Sequence, residues 1–390
     1  MWIERSLEPL LRERAGQRPV VVLTGARQTG KTSLVRRLFG DYAFVSLDLP
    51  SEAEQAEHDP KAFLKRYPPP VVIDEVQYAP GLFRHLKAVI DADRKACGRF
   101  ILTGSQGFPL MKSVSDSLAG RADVLALEPL SWAEVSRAQP SLTIERYLVR
   151  GGLPELYEKP ELDATAFHRS YLATYLERDL RLLLQVASLR DFERFVRACA
   201  LRTAQLLNRA ELARDVGISG STAGAWLSAL QASGVGMLLE PWFSNRTRSL
   251  VKSPKLYFAD TGLVAFLCGV RSAEELPGSP FAGPLWETLV FAELRRRQIN
   301  AEGGWDLNFW RDRSREADFL RHRAGSFHIA DAKWTEHPGA QDAAALARVA
   351  EVLPARSVRS RTIFCRAAHP YPLDQATIAA PVGAVPEGWT

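Results

Sequence analysis

Residues 20–33, VVVLTGARQTGKTS, constrain the fold of this chain more than any other stretch of it. An apolar, β-branched run ends at Gly25, and Gly25, Gly30, Lys31 and Thr32 fit the pattern G-x-x-x-x-G-K-[ST]. In that pattern glycines let backbone N–H groups turn toward a phosphate, and the following helix presents its positive N-terminal end to the same anion. The stretch therefore predicts a buried strand, a phosphate-binding loop and a helix, in that order.

The residue types of this loop indicate ATP and Mg²⁺ as its ligands. Lys31 is expected to place a mobile positive charge beside the β- and γ-phosphates, and the hydroxyl of Thr32 is expected to bind Mg²⁺. A chance glycine-rich loop is the alternative, but the strand-like run before it and the helix-like SLVRRLF after it argue against chance. The residues expected to contact the nucleotide are Gly25, Ala26, Arg27, Gln28, Thr29, Gly30, Lys31, Thr32 and Ser33.

Two adjacent acids end another apolar run. Val71–Glu75, VVIDE, reads as a buried strand whose carboxylates lie at the edge where open parallel sheets bind ligands. We expect Asp74 to hold Mg²⁺ through water and Glu75 to polarise the attacking water as the general base. A solvated turn with two acids is the alternative. The phosphate-binding loop upstream favours the catalytic interpretation.

One more strand end and one arginine complete the candidate site. The strand-like residues 100–104, FILTG, are followed by Ser105, and Thr103 and Ser105 are the candidates to contact the γ-phosphate or orient water. Arg121 precedes the strand-like run 124–127 and is a candidate arginine finger, in its own subunit or on the nucleotide of a neighbour. An ordinary surface arginine is the alternative for Arg121.

The order of these motifs resembles the prokaryotic AAA-type ATPases that carry a C-terminal DUF4143 region, over nearly the whole chain. The resemblance implies an α/β fold with a P-loop NTPase domain of the ASCE/AAA type, followed by a C-terminal restriction-endonuclease-like α/β domain. The N-terminal motifs are shared by many NTPases, and the later ones are more specific to this family. The matching segments are GARQTGKTS (25–33), VVIDEVQ (71–77), LTGS (102–105), SLAGR (117–121), GGLPE (151–155), YLERDL (175–180), KLYFADTGL (255–263), WETLVFAEL (286–294), EADF (316–319) and DAK (331–333).

Four residues near the C-terminus are similar to the core of a PD-(D/E)xK nuclease. Glu287 lies on a predicted amphipathic helix, Asp318 in a predicted strand, and Asp331 and Lys333 two apart on one face of the next strand. Carboxylates at a strand end can hold Mg²⁺, and a lysine on the same face can activate water or steady a phosphate. This chain has Asp331 where glutamate is commoner, and D…DxK also arises by chance. A nuclease-like domain whose acids are salt-bridged or exposed is the alternative.

Residues 203–245 carry the pattern of a winged helix, which is helix, turn, helix and a short hairpin. The helix that would read DNA is Ser221–Ala232, and Arg246 and Arg248 are the wing residues expected to contact phosphates. That helix contains no lysine or arginine, which weakens the DNA interpretation. Winged helices also serve as protein-interaction or packing modules, and this alternative stays open.

Composition sets limits on the partners. Lysine and arginine exceed aspartate and glutamate by 50 to 45, a net charge of +5 that permits an acidic partner without demonstrating one. The four cysteines are scattered without zinc-ligand spacing, which indicates reduced thiols and a cytoplasmic location. No apolar run is long enough for a membrane span, and the amphipathic N-terminus lacks the apolar core of a signal peptide.

These features predict four segments. They are an AAA-type ATPase domain at 1–135, a helical lid or connection at 136–200 with Arg178 as an alternative γ-phosphate contact, a winged-helix module at 201–253, and a nuclease-like DUF4143 domain at 254–390. One hypothesis is an ATP-hydrolysing machine whose C-terminal half engages DNA, by cleavage or remodelling. The other is an ATP-dependent switch that presents its C-terminal half to a protein partner. A small-substrate kinase is less favoured, a homo-oligomer is a candidate assembly, and no membrane partner is expected.

Overall fold

The computed structural model describes residues 2–105, 114, 116–176, 189–243, 253–300, 304–354 and 357–389. The chain forms two compact units. The first consists of Met1–Leu130 with two short pieces, Leu153–Glu155 and Ala232–Gly234, and the second consists of Ser131–Gly152, Leu156–Gln231 and Val235–Thr390. Within the described ranges, no helix is both long and apolar enough to cross a membrane.

The first unit is built on a five-stranded sheet in the order β2-β3-β4-β1-β5, and all its strand pairs are parallel. Its strands are β1 (Val20–Thr24), β2 (Ala43–Ser46), β3 (Val71–Asp74), β4 (Phe100–Thr103) and β5 (Ala122–Ala126). The predicted α/β fold with a parallel sheet is thereby confirmed. Because all carboxyl ends of these strands meet at one edge, the residues that follow β1, β3 and β4 lie there together.

Side-chain alternation along β1 explains why this strand is central. Val20 and Val22 join the apolar cluster on one face of the sheet, and Val21 and Leu23 join the cluster on the other face. A strand covered on both faces needs a continuous apolar run, which is what VVVL supplies. The helices of this unit are α1 (Glu8–Gln17), α2 (Lys31–Leu38), α3 (Pro50–His58), α4 (Pro60–Arg66) and α5 (Leu82–Ala92).

The second unit begins with a mainly helical part and a small sheet. Its three-stranded antiparallel sheet has the order β6-β8-β7, with β6 (Gln205–Leu206), β7 (Gly236–Leu239) and β8 (Lys255–Phe258). The expected domain boundary at 253/254 therefore falls inside this sheet, just before β8. The helices that follow Leu130 up to this sheet are α6 (Trp132–Ala138), α7 (Ile144–Arg150), α8 (Glu155–Glu158), α9 (Ala164–Tyr171), α10 (Leu189–Ala200), α11 (Arg209–Val216) and α12 (Gly220–Ala232).

The rest of the second unit is a six-stranded mixed sheet with the order β13-β14-β12-β11-β10-β9. The helix Ala340–Ala350 packs on this sheet through an apolar cluster that includes Leu346 and Val349. The helix Ala282–Asn300 donates the indole N–H of Trp286 to the carbonyl of Phe364 at 3.0 Å. The elements are α13 (Thr261–Cys268), α14 (Ala282–Asn300), β9 (Asp306–Arg311), β10 (Glu316–Arg323), β11 (Ser326–Ala332), α15 (Ala340–Ala350), β12 (Val358–Cys365), β13 (Tyr371–Pro372) and β14 (Thr377–Pro381).

Candidate functional site

The loop between β1 and α2 requires glycine at its first position. Gly25 has φ +150°, and a β-carbon there would lie 2.2 Å from the carbonyl oxygen of Leu127. Gly30 has φ +90° and immediately precedes α2, and Gln28 is also left-handed at φ +61°. Residues at positive φ let successive backbone N–H groups turn toward one point, which is the loop conformation that phosphate binding needs.

Lys31 is the first residue of α2, and its ammonium lies within this loop. Its Nζ donates to the carbonyl oxygens of Gly25 at 3.0 Å and Ala26 at 2.8 Å, and the residue is only 6% exposed. A buried cation, the N-terminal end of α2 and a glycine-shaped loop form a donor set that fits a triphosphate. The structure thus brings residues 25–33 together in the arrangement that the pattern requires.

Arg5 supports the loop from the N-terminal segment, and the sequence did not single it out. It is 7% exposed, and its guanidinium donates to the carbonyl oxygens of Thr29 at 2.9 Å and Glu128 at 2.5 Å. Thr29 in turn donates through its hydroxyl to the carbonyl of Ala26 at 3.0 Å. Arg5 therefore ties the middle of the loop to the segment that follows β5. No motif marks it, because its role depends on a contact between residues far apart in the chain.

Asp74 is the centre of a hydrogen-bond network at the carboxyl edge of the sheet. It accepts from the hydroxyl of Thr32 at 2.9 Å, from Ser46 at 3.2 Å, and from Thr103. These partners come from α2, β2 and β4, so β3 delivers Asp74 between its two neighbouring strands. A hydroxyl and a carboxylate at this distance are the two protein groups expected to hold Mg²⁺ beside a nucleotide. Ser46 is a member of this network that sequence reasoning did not identify.

Glu75 leaves the strand in a left-handed conformation, with φ +56° and ψ +46°. Its backbone N–H donates to the hydroxyl of Thr103 at 3.1 Å. Its side-chain carboxylate accepts from the amide of Gln77, which also lies 3.4 Å from the hydroxyl of Ser105. A non-glycine residue at positive φ is strained and is found where surrounding contacts enforce it. Gln77 thus links Glu75 to Ser105, and the sequence offered it only as part of VVIDEVQ.

Arg121 is not brought together with this group. It immediately precedes β5, level with the start of β1, so about five strand residues, or roughly 17 Å, separate it from the loop along the sheet. Its guanidinium pairs with both carboxylate oxygens of Asp91, at 2.8 and 3.0 Å. Hydrogen bonding to Arg121, aided by Arg94, lowers the pKa of Asp91 to about 2. A finger acting within the same subunit does not fit this position, and action on a neighbour's nucleotide stays a prediction.

In the second unit, the predicted acids gather around a lysine that the sequence did not single out. The ammonium of Lys255, the first residue of β8, lies 3.0 Å from Glu287, 2.8 Å from Glu316 and 2.9 Å from Asp318. The hydroxyl of Tyr257 also donates to Glu287, at 2.6 Å. Three of the matching segments meet at this cluster: KLYFADTGL supplies Lys255 and Tyr257, EADF supplies Glu316 and Asp318, and WETLVFAEL supplies Glu287.

Asp331 and Lys333 lie beside this cluster. Asp331 accepts from the backbone N–H of Asp318 at 3.2 Å, and the ammonium of Lys333 is 3.5 Å from its carboxylate. Burial, reinforced by the negative charge of Asp318, raises the pKa of both Glu287 and Asp331 to about 7. Burial opposes ionisation of Asp318 as well, but Lys255 holds its pKa below the usual value. All four predicted residues are thus near one another, with Lys255 among them.

The acids of this cluster lie close together, but they are not arranged as the ligands of a metal ion. Across the part of the chain that the structure describes, no group of three or more His, Cys, Asp or Glu side chains is arranged to hold a metal ion. The carboxylates of Glu287, Glu316 and Asp318 converge instead on an ammonium. The residues therefore do not fit the Mg²⁺ expected for a PD-(D/E)xK site.

The order of elements from α10 to β8 is helix, strand, helix, helix and two strands, and the identification of a winged helix stays a prediction. The helix expected to read DNA runs Gly220–Ala232. Its exposed side chains are Ser221, Ala225, Ser228 and Gln231, none of them charged. Three arginines proposed for phosphate contacts, Arg178, Arg246 and Arg248, lie outside the described residues.

Comparison with known proteins identifies three regions of the chain. Residues 17–136 match the family model of an AAA domain, residues 141–274 match the domain of unknown function DUF8612, and residues 282–385 match the domain of unknown function DUF4143. Two curated relatives, uncharacterized proteins of Mycobacterium bovis and Mycobacterium tuberculosis, are each 34% identical over 297 residues. The match spans 75% of this chain and 66% of the length of each relative.

Two solved structures are similar at lower identity. A Walker-type ATPase of Pyrococcus abyssi superposes with a TM-score of 0.45 at 18% identity, covering 68% of this chain and 96% of that one. A RuvB variant of Thermotoga maritima gives a TM-score of 0.30 at 15% identity, covering 64% and 89%. With an AAA domain and a DUF4143 domain both matched, in the order that the motifs predict, the chain belongs to the AAA-type P-loop ATPases that carry a C-terminal DUF4143 domain.

Proposed function

We propose that the first unit binds ATP with Mg²⁺ and hydrolyses it. The observation that carries this proposal is the 2.9 Å hydrogen bond from Thr32 to Asp74, directly beside the loop that encloses the ammonium of Lys31. Bound Mg²⁺ would neutralise charge that develops on the β- and γ-phosphates. Thr32 and Asp74 are the residues that would hold it, and Lys31 and the loop amides would hold the phosphates.

Glu75 is the proposed general base, and its surroundings support that role. Thr103 fixes the backbone of Glu75 through one hydrogen bond, and Gln77 fixes its carboxylate through another. A carboxylate held in one place can orient a water molecule and accept its proton as the bond to phosphorus forms. Ser105, within reach of Gln77, is the proposed polar contact to the reacting phosphate or water.

Steady-state ATP turnover with Mg²⁺ tests this proposal in the full chain. Lys31→Ala removes the charge that binds the phosphates, and Glu75→Gln removes the base, and each is expected to lower kcat/KM by about 100-fold or more. Lys61→Ala is the matched control, because Lys61 is an exposed lysine of α4 remote in sequence from the loop. Equal turnover by wild type and both site variants would refute ATP hydrolysis at this site.

For the second unit we propose a switch role, in which ATP-dependent rearrangement exposes a surface to a protein partner. The uncharged exposed face of Gly220–Ala232 supports this candidate over DNA reading, since DNA binding depends on cations that neutralise phosphates. Engagement of DNA is the competing candidate from the same sequence pattern. The two candidate functions predict different effects of salt on DNA binding and of DNA on ATP turnover.

Anisotropy of labelled single- and double-stranded DNA, with and without ATP, separates the two candidates. If the second unit is a switch, we expect no salt-sensitive DNA binding, that is, no DNA affinity that falls steeply between 50 and 200 mM salt. We also expect DNA not to stimulate ATP turnover. DNA binding with a steep salt slope, together with stimulated turnover, would replace the switch with a DNA-dependent machine. ATP turnover without DNA leaves the ATPase proposal intact in either case.

A further inference from the structure

The side chain of Lys255 is almost completely enclosed by acids. It is 3% exposed, and its three carboxylate partners are Glu287 from α14 and Glu316 and Asp318 from β10. A protonated lysine has three N–H donors, and this lysine has three acceptors at 2.8–3.0 Å. The ammonium donates hydrogen bonds to Glu287 and Asp318, and Glu316 completes the cluster as an ion pair at 2.8 Å.

The charges around the cluster keep this lysine protonated. Burial alone would lower the pKa of Lys255, but Asp318, Glu287 and Glu316 outweigh it and raise the pKa above the ordinary value. Beyond these, the facing charged groups are Asp331 with Lys333, and Arg311, which lies 3.3 Å from Glu316. Four carboxylates thus face three cations, and the most deeply placed cation is Lys255.

An ammonium and a divalent cation cannot share this position. Mg²⁺ and Mn²⁺ would require carboxylate oxygens at about 2.1 Å in a near-octahedral shell that includes several waters. In this structure the oxygens of Glu287, Glu316 and Asp318 that face one another are bridged by Nζ of Lys255 instead. Electrostatic repulsion and occupied lone pairs both oppose the entry of a metal while Lys255 is in place.

We propose that Lys255 is the resident cation of this carboxylate cluster, taking the place of a metal ion, so that the DUF4143 domain does not perform metal-dependent cleavage of nucleic acid. The cluster serves instead as a joint between β8 of the three-stranded sheet and the elements α14 and β10. This assignment concerns the second unit alone and does not depend on ATP hydrolysis in the first.

A second attachment beside the cluster is consistent with a joint. The backbone N–H of Trp242, just after β7, donates to the carbonyl of Phe309 in β9 at 2.7 Å. The backbone N–H of Phe309 donates in turn to the backbone carbonyl of Glu240 at 3.2 Å. The ring of Trp242 packs on that of Phe327, with centroids 4.9 Å apart. Both strands of the β7–β8 pair are therefore fastened to the six-stranded sheet, β8 by charge and β7 by backbone and aromatic contacts.

Mn²⁺ binding by a Thr32→Ala variant and plasmid nicking by the wild-type protein test the proposal. We expect nucleotide-free Thr32→Ala protein, in which the expected nucleotide-linked metal ligand is removed, to bind no Mn²⁺ at 100 μM by electron paramagnetic resonance. We also expect wild type to leave supercoiled plasmid uncut in 10 mM Mg²⁺ or Mn²⁺. Stoichiometric Mn²⁺ binding that Asp318→Asn abolishes, or nicking that Asp318→Asn abolishes, would overturn the proposal.

Removal of the lysine gives the complementary test. In the Thr32→Ala background, Lys255→Met should create an Mn²⁺ site that Thr32→Ala alone lacks, because the acids lose their internal cation. Combining Lys255→Met with Glu316→Gln reduces the excess negative charge. This double variant is used for the Mn²⁺ measurement if the single variant does not fold. Lys333→Met is the matched control and should gain no site, since Lys333 contacts only Asp331 among the cluster acids. A folded Lys255→Met protein that gains no Mn²⁺ site would contradict the assignment.

Reductive methylation of native wild-type protein requires no variant. Lys333 is 39% exposed at its side chain and Lys255 is 3% exposed, so mass spectrometry should find Lys333 dimethylated and Lys255 unmodified. After denaturation both should react. Modification of native Lys255 at the rate of Lys333 would show that its ammonium is not held in the cluster and would overturn the proposal.

Discussion

The carboxylate of Asp260 accepts a hydrogen bond from the backbone N–H of Gly152 at 2.6 Å, across 108 residues of sequence. Asp260 also caps α13 by accepting from the N–H of Leu263 at 2.8 Å. Two of the segments that carry the family resemblance, GGLPE and KLYFADTGL, are thus each other's partners. This contact links two distant segments within the second unit. It supplies no group to the candidate nucleotide site.

Gly151→Ala is expected to destabilise the second unit. Gly151 has φ +83°, and a β-carbon there would lie 2.4 Å from the carboxylate of Asp260. The clash adds to the cost of placing alanine at φ +83° and ψ −174°, a region that is essentially restricted to glycine, so we expect the free energy of unfolding to fall by about 2–4 kcal/mol in urea titrations. Gly217→Ala is the control, because Gly217 has φ +81° and no atom within 4 Å of the added carbon. Equal losses in the two variants would mean that the Asp260 contact is unimportant.

Arg5→Ala is expected to weaken both the fold and the nucleotide site. It would leave the buried carbonyls of Thr29 and Glu128 without this donor, at a cost of about 1–3 kcal/mol, and would loosen the phosphate-binding loop. The measurements are urea unfolding and the KM for Mg²⁺–ATP, which we expect to rise. Arg12→Ala is the control, since Arg12 is exposed and its contact to Leu38 is long, at 3.4 Å. An unchanged KM in Arg5→Ala would show that Arg5 does not influence nucleotide binding by the loop.

Gln77→Ala is expected to lower kcat about tenfold and to leave the KM for Mg²⁺–ATP within about twofold, because a freed carboxylate at Glu75 is less well aimed at water. Stopped-flow measurement of phosphate release gives both constants. A rise in kcat would mean that Gln77 restrains the base instead of positioning it. Gln17→Ala, an exposed change on α1, should alter neither constant.

The carboxyl of Glu287 makes stability depend on pH. Its pKa is raised from 4.5 to about 7 by burial and by Asp318, so the folded protein binds an extra proton between those two values. Its contribution is therefore full below pH 4.5 and is lost as pH rises through 7, by about 1–3 kcal/mol. Urea unfolding at pH 5 and pH 8 should show a smaller loss in Glu287→Gln than in wild type; part of the loss remains in the variant, because the pKa of Asp331 is also raised to about 7. Glu351→Gln, at an exposed site, should behave as wild type does.

The parts of the structure that the sequence predicted are those written in local patterns. The apolar run before Gly25 and the run before Asp74 each form a strand of the parallel sheet, because periodicity and composition act over a few residues. The loop between β1 and α2 follows from two glycines: Gly25 has no room for a β-carbon, and Gly30 has φ +90°. Thr32, near the start of α2, and Asp74, the last residue of β3, then meet because β1 and β3 end at the same edge of the sheet.

The parts that the sequence did not predict depend on contacts between distant residues. Lys255 opens the strand KLYF and reads as an ordinary strand end, yet it is the counter-ion of acids that follow it by 32 and 63 residues. Arg121 fits a motif for an arginine finger, but the direction of β5 places it at the far edge from the loop. Arg5, Ser46 and Gln77 are polar residues whose partners only the fold identifies.

Titration calorimetry with a non-hydrolysable ATP analogue and Mg²⁺ is the most direct test of nucleotide binding by the loop that holds Lys31. We expect one saturable site in the wild type, no detectable heat of binding in Lys31→Ala, and weakened binding in Asp74→Asn, with all three proteins folded by circular dichroism. Wild-type protein that binds no nucleotide, or that binds it equally well without the ammonium of Lys31, would contradict the account.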